Sequence, residues 1–576
     1  MKLNNKIKIV RVPVFRPFFL SGFLEAPYFP PLGLATITAY LRSKGLNVEQ
    51  QDLNIEVHKS ILTSKNKFNA NVFFDKKRVF DYLKGKKDKY LDFLSEKISK
   101  EMNINNEVKI LLLSIEENFM ISPILSALLI ANYWKNKYSN LIIIAGGSET
   151  LYELFPFMNN PKLFDFLVYG CGEISVYKLI KNIENKTAFK KISGLIYYDK
   201  KIIKKTLPKL TKPVKPDFDD LPLEKYMWSP NKHFNNYKLL KHKKIEPFLI
   251  LPYQFISGCP FHCAFCPMSG IKEYYLKNPK EVVEDLKFLS EKYNTKYFFF
   301  LNSNINVSKK YIISLCDEII KSELKIFWMD CARFDNINRV ILTKMKKAGC
   351  IRLTFGLETT SERLLKYVHK NINIEKVPGI LKIASELGIW TAVEIIAGLP
   401  TETEKDIQTT KNFLKKNIKY LDNIFFFTFH IEPHSLFLKY PEKYGLKNIK
   451  KSASFSTMKQ LTSAVNFRYS FDEIGGLCWE HKKNQIANSF SKLRYDNYMN
   501  ENIYQYDSVP FLFSLYSVFD NKDLIKDAYF EVKNKLYKKY LFEPCFFIKT
   551  ILRFKSFSEL RRKGISFLSW AFKITK

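Results

Sequence analysis

Cysteine, acidic charge and long uncharged apolar runs are all scarce in this chain of 576 residues. Nine cysteines over that length exclude the dense disulfide framework of a small secreted protein. They leave reduced thiols or metal ligands, which suits a cytoplasmic setting. No uncharged apolar run approaches the about 18 residues of a membrane span, and the longest, Ile121 to Trp134, is too short. The start, MKLNNKIKIVRVPVF, has neither the apolar core nor the cleavage site of a signal peptide, so a soluble chain is expected. Acidic residues number 57 against 92 Lys and Arg, a formal net charge of +35. Such an excess suits nucleic acid, anionic lipid or an acidic partner. Lysine dominates it, beside abundant Asn, Ile and Phe, a mixture that an AT-rich genome yields without selection for binding, so charge alone assigns no partner. Apolar and aromatic side chains are plentiful, at 46% and 15%, enough for several packed domains.

Residues 7 to 195 read as alternating strands and helices. KIKIVRVPVF predicts a strand, PLGLATITAYLRSKG a helix opened by Pro30-Pro31 and ended by Gly45, and LNVEQQDLN a second strand. A basic helical insert is expected at about 62 to 102. VKILLLSI, NLIIIAGGS and FDFLVYG follow as strands, with helices across 121 to 137, from about 149 and from Glu173. Short apolar strands separated by helices predict an α/β domain with a parallel, Rossmann-like sheet covered on both faces. SGLIYYDKKIIKK reads as a hairpin, and the proline-rich run from Pro208 to Pro222 as a linker.

From about 247 to 430 the rhythm restarts. The runs FLILPYQFI, KYFFFLN, KIFWMDC, IRLTFG, IWTAVEII and NIFFFTFH, separated by helical segments, predict a partial (β/α)6 barrel. Residues 450 to 576 read as mainly helical. The expected division is therefore 1–200 for the first domain, 201–244 for the linker, 245–450 for the barrel and 451–576 for a helical C-terminal domain. From Cys545 to Lys576 eight basic residues face one acid, Glu559, among Phe, Leu and Trp570. That tail reads as a helix packing on the domain, and a membrane surface stays open to it as a partner.

Directly after the first barrel strand comes ISGCPFHCAFCPMSG, with Cys259, Cys263 and Cys266. A structural zinc site wants four ligands, commonly in C-x2-C pairs, and His262 beside Cys263 would need an awkward local geometry. Three thiolates on one short loop suit three irons of a 4Fe-4S cluster and leave the fourth open to an exogenous ligand.

With its aromatic Phe265 before the last cysteine, this C-x3-C-x2-C loop resembles that of the radical S-adenosylmethionine (SAM) enzymes. Downstream stretches agree in order. CIRLTFGLETTSERLLKYVHKNI resembles the family's fourth strand, with Glu358 where SAM is contacted. VEIIAGLPTETEKD resembles the fifth strand and its Gly-Leu-Pro turn, and WMDCARFD places Arg333 at the end of the third. The resemblance implies that the open iron chelates SAM and that one electron, from a donor such as flavodoxin or ferredoxin, cleaves SAM to a 5'-deoxyadenosyl radical. Phe265, Asn302, Arg333 and Glu358 are the expected SAM-binding residues. Where members often carry acids, after the second strand, this chain has FLNSNIN, with Asn302 and Asn304.

PPLGLATITAYLRSKGLNVEQQDLN, IIIAGGSET, FDFLVYGCGEISVYKLI and the hairpin with its proline linker resemble the cobalamin-binding domain preceding the barrel in one branch of that family. Ser114, Gly146, Gly147 and Glu173 are the expected cobalamin-binding residues. The chain has no Asp-x-His-x-x-Gly, so histidine ligation of cobalamin is absent, and Cys171 replaces one Glu of the branch's Gly-Glu-Gly-Glu. With both cofactors, the resemblance implies methylation of an unactivated carbon or of phosphorus on a small-molecule or peptide substrate. No Ser/His/Asp set accompanies the barrel motifs, and no catalytic side chain is assigned. His430, His434, Tyr253 and Cys331 read as structural. Alternatives are an oxidative cyclase or rearrangement enzyme of the same architecture, or a non-enzymatic zinc- or nucleic-acid-binding protein. The methylthiotransferase branch needs three further cluster cysteines before residue 259, where only Cys171 occurs. Nucleic acid is not the expected partner.

Overall fold

The computed structural model describes residues 6–15, 29–57, 70–115, 121–147, 149–199, 202–229, 238–240, 243, 245–271, 273–451, 469–498 and 508–541. Seven strands form the first sheet: β1 (Lys6–Arg11), β2 (Val48–Asp52), β3 (Val108–Ile115), β4 (Ile142–Gly147), β5 (Phe166–Tyr169), β6 (Leu195–Asp199) and β7 (Ile202–Lys205), in the order β2-β1-β3-β4-β5-β6-β7. The first five are parallel, and β6 and β7 continue the sheet as an antiparallel hairpin. Successive side chains enter different cores. Ile7, Ile9, Ile110 and Leu112 join one apolar cluster, while Val10, Leu111, Leu113 and Ile143 join another. Burial on both faces is why these strands read as nearly unbroken apolar runs.

The helices Leu32–Ser43 and Gly172–Asn185 cover the first face. The second is covered by Ser122–Lys137, buried along most of its length. The expected basic insert packs there as the helices Lys76–Leu83 and Lys89–Lys100, whose Leu91, Leu94 and Ile98 are buried. Asp75 and Asp88 cap them, each accepting hydrogen bonds from first-turn amides. With β2 and β3 on opposite sides of β1, strand order reverses between β1 and β3, where an open α/β sheet offers a crevice at its carboxyl edge.

The second sheet starts at β8 (Ile250–Tyr253). After the short ribbon β9 (Ile256–Ser257) and β10 (Tyr275–Leu276) come β11 (Tyr297–Phe300), β12 (Phe327–Ala332), β13 (Cys350–Glu358), β14 (Trp390–Ala397) and β15 (Asn423–Thr428). Its order is β15-β14-β13-β12-β11-β8, all parallel: the expected open six-stranded barrel. Side chains capping the barrel helices sit where the sequence places Asn, Ser or Thr, at Asn278, Ser308, Asn338, Ser361 and Thr403. Phe298, Phe300, Trp328, Leu353, Phe355, Val393, Ile395 and Phe426 point outward into the apolar core, so their strand neighbours face the bore. An antiparallel pair, β16 (Leu446–Lys451) and β17 (Tyr469–Glu473), and the helix Trp479–Tyr498 follow the barrel.

The proline-rich run lies along both sheets' supporting layers. Arg42 donates to Asp217 at 2.8 Å and pairs with Asp220, while Gln50 donates to the Asp217 and Asp219 carbonyls at 2.7 and 2.6 Å. On the barrel side, Lys292 meets Asp219 at 2.5 Å and Tyr293 Oη accepts from the Phe218 amide at 2.9 Å. Phe218 between them is fully buried against Tyr293. A segment whose prolines bar it from helix or inner strand thus becomes a strap between domains.

The described residues within 229–246 and 511–541 form a second compact unit. Within it the Glu531 carboxylate accepts from the backbone amides of Lys238 and Leu239 at 2.6 and 3.1 Å. The basic tail from Cys545 lies outside the described residues. Among the described residues no helix is long and apolar enough to cross a membrane. Replacing Phe218 by Ala is expected to lower unfolding free energy by about 3–5 kcal/mol, read from denaturant melts, with Phe218→Leu costing much less.

Candidate functional site

The cysteine loop leaves β8 and is held on several sides. The β9–β10 ribbon closes its base through Ser257 opposite Tyr275. At its tip the Ala264 amide donates to the Val368 carbonyl at 2.8 Å, and the Phe437 amide donates to the Ala264 carbonyl at 3.3 Å. Ser269 Oγ donates to the Cys266 carbonyl at 2.7 Å and accepts from the Leu436 amide at 3.2 Å. Cys263 is buried, Cys259 and Cys266 half-buried, and all three thiols are free. Burial pushes the Cys259 thiol up and that of Cys266 up to about 11, with mutual repulsion adding to both. Among the described residues no three ligands converge as they would on a single ion. A cube of four irons spaces its sulfurs more widely.

Three charged side chains close over this loop. Arg333, just past β12, donates from Nη1 to Cys263 Sγ at 3.1 Å, from Nε to Asp335 at 2.6 Å and from Nη2 to the Lys370 carbonyl at 2.7 Å. Its guanidinium lies 4.0 Å from the Phe261 ring centre. Glu358, the last residue of β13, receives Lys370 Nζ at 2.7 Å, both residues being only 5% exposed. Burial opposes the Lys370 ammonium, yet Glu358 and then Cys263 more than offset it, so its pKa lies above the ordinary lysine value. Lys370 Nζ is also 5.8 Å from the Phe265 ring centre. Gly356 makes room for the pair: a Cβ there would stand 2.6 Å from both Glu358 Oε1 and Lys370 Nζ. Glu358 itself has a left-handed backbone, φ 63°, a conformation costing about 1–2 kcal/mol for a residue with a Cβ.

The two asparagines after β11 differ. Asn302 Oδ1 accepts from the Phe255 and Ile256 amides at 3.1 and 2.9 Å, and its Nδ2 donates to Asp330 at 2.7 Å. Its amide is committed to joining strand ends. Asn304 is 2% exposed, and neither its Oδ1 nor its Nδ2 has a hydrogen-bond partner among the described residues. Tyr253 points outward and donates to Asp285 at 2.7 Å. Cys331 faces the bore and is accessible, although surrounding protein pushes its thiol well up. His430 Nε2 lies 2.9 Å from Thr428 Oγ1. His434 ends up beside the cysteine loop through its backbone, where a Cβ on Gly270 would meet its carbonyl at 2.6 Å.

In the first domain Ser114 of β3 stands opposite Gly146 of β4. Gly147 has φ 138°, and a Cβ there would come within 1.8 Å of the Ile115 carbonyl, so the neighbouring strand alone demands glycine. Glu173 lies in the first turn of the helix Gly172–Asn185, and the half-buried Cys171 precedes it. Burial pushes the Cys171 thiol up against the opposing pull of nearby Thr211 and Ser257, so the edge of the first sheet lies near the base of the cysteine loop. Residues 16–28, 116–120 and Ser148 lie outside the described set.

Lys370, Asp335, Phe261 and Gly356 had no assigned role in the sequence. Lys370 falls within the quoted fourth-strand stretch, but only the turn after the helix Glu362–Tyr367 brings it back to Glu358. Replacing Lys370 by Met leaves Glu358 buried without its cation and is expected to cost about 3–5 kcal/mol, recovered in large part by adding Glu358→Gln in a double-mutant cycle. Gly147→Ala is expected to destabilise the protein in denaturant melts without any ligand present. Unchanged melts would free Gly147 from its strand-packing role.

Residues 253–414 match the Radical SAM superfamily. An uncharacterized methyltransferase of Pyrococcus horikoshii is 27% identical over 298 residues, 51% of this chain and 62% of its own length. The anaerobic magnesium-protoporphyrin IX monomethyl ester cyclase of Rubrivivax gelatinosus is 24% identical over 286 residues, 47% of this chain and 48% of its own. The chain thus spans about half to three-fifths of these relatives' lengths. In fold it is similar to the radical SAM methyltransferase TsrM from Kitasatospora setae, solved with cobalamin and a [4Fe-4S] cluster bound. That match has a TM-score of 0.56 at 14% identity and covers 93% of this chain and 99% of that one. The cysteine loop, the parallel six-stranded barrel and the family match together show that this chain carries a radical SAM domain, set behind an α/β domain in the TsrM-like fold.

Proposed function

We propose that the protein is a cobalamin-dependent radical SAM methyltransferase acting on an unactivated carbon or on phosphorus of a small-molecule or peptide substrate. The observation that carries this reading is the buried Lys370–Glu358 pair beside Cys263. The amino-acid end of SAM carries one ammonium and one carboxylate, and a buried ion pair of opposite signs complements that zwitterion. The donor set fits the cluster: three free thiols on one anchored loop, with the Arg333 cation against one sulfur. Cys259, Cys263 and Cys266 would hold it. When bound, the cluster supplies the electron that splits SAM, and cobalamin supplies a transferable methyl group.

The chain's own residues bind and orient. Arg333 donates toward Cys263 and so places a cation beside a sulfur that would bind iron. Lys370 is placed for a carboxylate, Glu358 for an ammonium, and Phe265 shields their pair from water. Asn304 brings an unmatched amide to the same barrel edge, where Asn302 has little left to offer. In the first domain Ser114, Gly146, Gly147 and Glu173 lie at or beside the carboxyl edge of the sheet, the crevice proposed for cobalamin. A small electron-transfer protein such as flavodoxin or ferredoxin would deliver the electron. A second reading, cobalamin-linked oxidative cyclisation without methyl transfer, is favoured by the likeness to the magnesium-protoporphyrin cyclase.

Oxygen-free purification is expected to give iron, sulfide and a corrin, and Cys263→Ala to abolish reductive SAM cleavage while corrin stays bound. Iron-free protein that has been given iron and sulfide anaerobically, or cleavage surviving in the Cys263 variant, would sink the reading. Isotope from methyl-labelled SAM in the product distinguishes methylation from cyclisation.

A further inference from the structure

Beyond the barrel lies a buried cation that the ion-pair network at the cysteine loop does not use. Along the helix Trp479–Tyr498 the buried positions Lys482, Ile486, Ser489 and Leu493 form a stripe of helical spacing, and the helix packs on β14 and β15. An apolar side chain would suit the first place in that stripe. Lys482 occupies it instead, fully buried, a position an ammonium tolerates only when its hydrogen bonds and charge are matched. Its Nζ donates to the Leu399 carbonyl and to Gln485 Oε1, both at 2.8 Å, and pairs with Glu473 of β17 at 2.9 Å. Burial holds its pKa below the ordinary lysine value against the pull of Glu473 and Glu402.

These partners converge on the turn that follows β14. The Glu473 carboxylate also accepts from the Thr401 amide at 2.9 Å, Gln485 donates to the Glu402 carbonyl at 2.7 Å, and the Glu402 carboxylate closes the turn on the Gly398 amide at 2.8 Å. Ile486 presses on the same turn: a Cβ on Gly398, whose φ is 84°, would come within 2.5 Å of its side chain. The helix therefore shapes the turn from outside the barrel. On the turn's other side, Leu399 is fully buried and shares an apolar cluster with Ala264, at the tip of the cysteine loop. β14 also pairs with β13, whose last residue is Glu358. The turn thus links the helix to the loop and the strand end that form the proposed SAM site. We infer that Lys482 is a positioning residue, holding the turn 398–402 in the shape that SAM binding beside the cysteine loop requires, so that the segment after the barrel completes the site from outside. This rests on the radical SAM reading and gives a function to residues beyond the 253–414 match.

The test uses the full chain, reconstituted anaerobically with iron and sulfide, and follows SAM affinity by calorimetry beside iron content and denaturant melts. Lys482→Met is expected to weaken SAM binding about tenfold or more with iron retained. It also strands the Glu473 carboxylate and so lowers stability. Adding Glu473→Gln, which keeps an acceptor for the Thr401 amide, restores stability but not SAM affinity. Lys492→Met, which breaks the exposed pair with Glu404 on the same helix, changes neither. In the wild type SAM is expected to slow backbone hydrogen exchange in a peptide covering 477–487, a measurement that needs no variant to fold. SAM affinity that returns in step with stability in the double variant, affinity unweakened in either Lys482 variant, iron lost together with SAM binding, or exchange at 477–487 indifferent to SAM overturns the positioning role. Wild-type protein that neither binds nor reductively cleaves SAM with dithionite sinks the parent reading. Wild-type protein that does both, while the Lys482 variants bind SAM as tightly, sinks the positioning role alone.

Discussion

A lysine and a glutamate, both nearly out of contact with water, hold the site together. Burying either charge alone would cost several kcal/mol. Each is tolerable because the other is 2.7 Å away and because the lysine's carbonyl takes a hydrogen bond from Arg333. Arg333 in turn reaches Cys263. The end of β12, the end of β13, the turn after the helix Glu362–Tyr367 and the cysteine loop are therefore coupled through charge-assisted bonds. These are stronger than neutral ones in a dry setting. The left-handed backbone of Glu358 and the bare Cα of Gly356 are local costs accepted at this point.

That network needs rigid supports. The barrel strands give their outward side chains to an apolar core continuous with one face of the first sheet, so strand ends that carry the site do not move independently. The strap at Asp217–Asp220 adds a polar tie, with Arg42 and Gln50 on one side and Lys292 and Tyr293 on the other. Under the proposed reading, cofactors held on two domains would need such a fixed mutual placement, since reacting groups must meet within a near-contact geometry.

The amide and glycine signals show where linear reading ends. Asn302 and Asn304 are two residues apart and chemically identical, yet one joins strand ends and the other is buried with its amide unmatched among the described residues. Strand alternation and loop curvature, set by neighbours distant in sequence, make that distinction. Gly147 is one of the residues expected at cobalamin, and the carbonyl of Ile115 on the adjacent strand independently forbids a side chain there. The backbone approach that favours glycine is the same in either case, so composition could not separate the two causes.

The order of strands and helices, the proline linker and the three-cysteine loop were all legible, because periodicity, ring constraint and ligand spacing are local properties of the chain. The α/β class and the six-stranded barrel followed from them. The pairing of Lys370 with Glu358 and the seating of Arg333 on Cys263 were not legible. They depend on which side chains neighbouring strands bring face to face across distances that no sequence interval encodes. A buried charge declares its partner only once the low-dielectric space around it has been closed by packing.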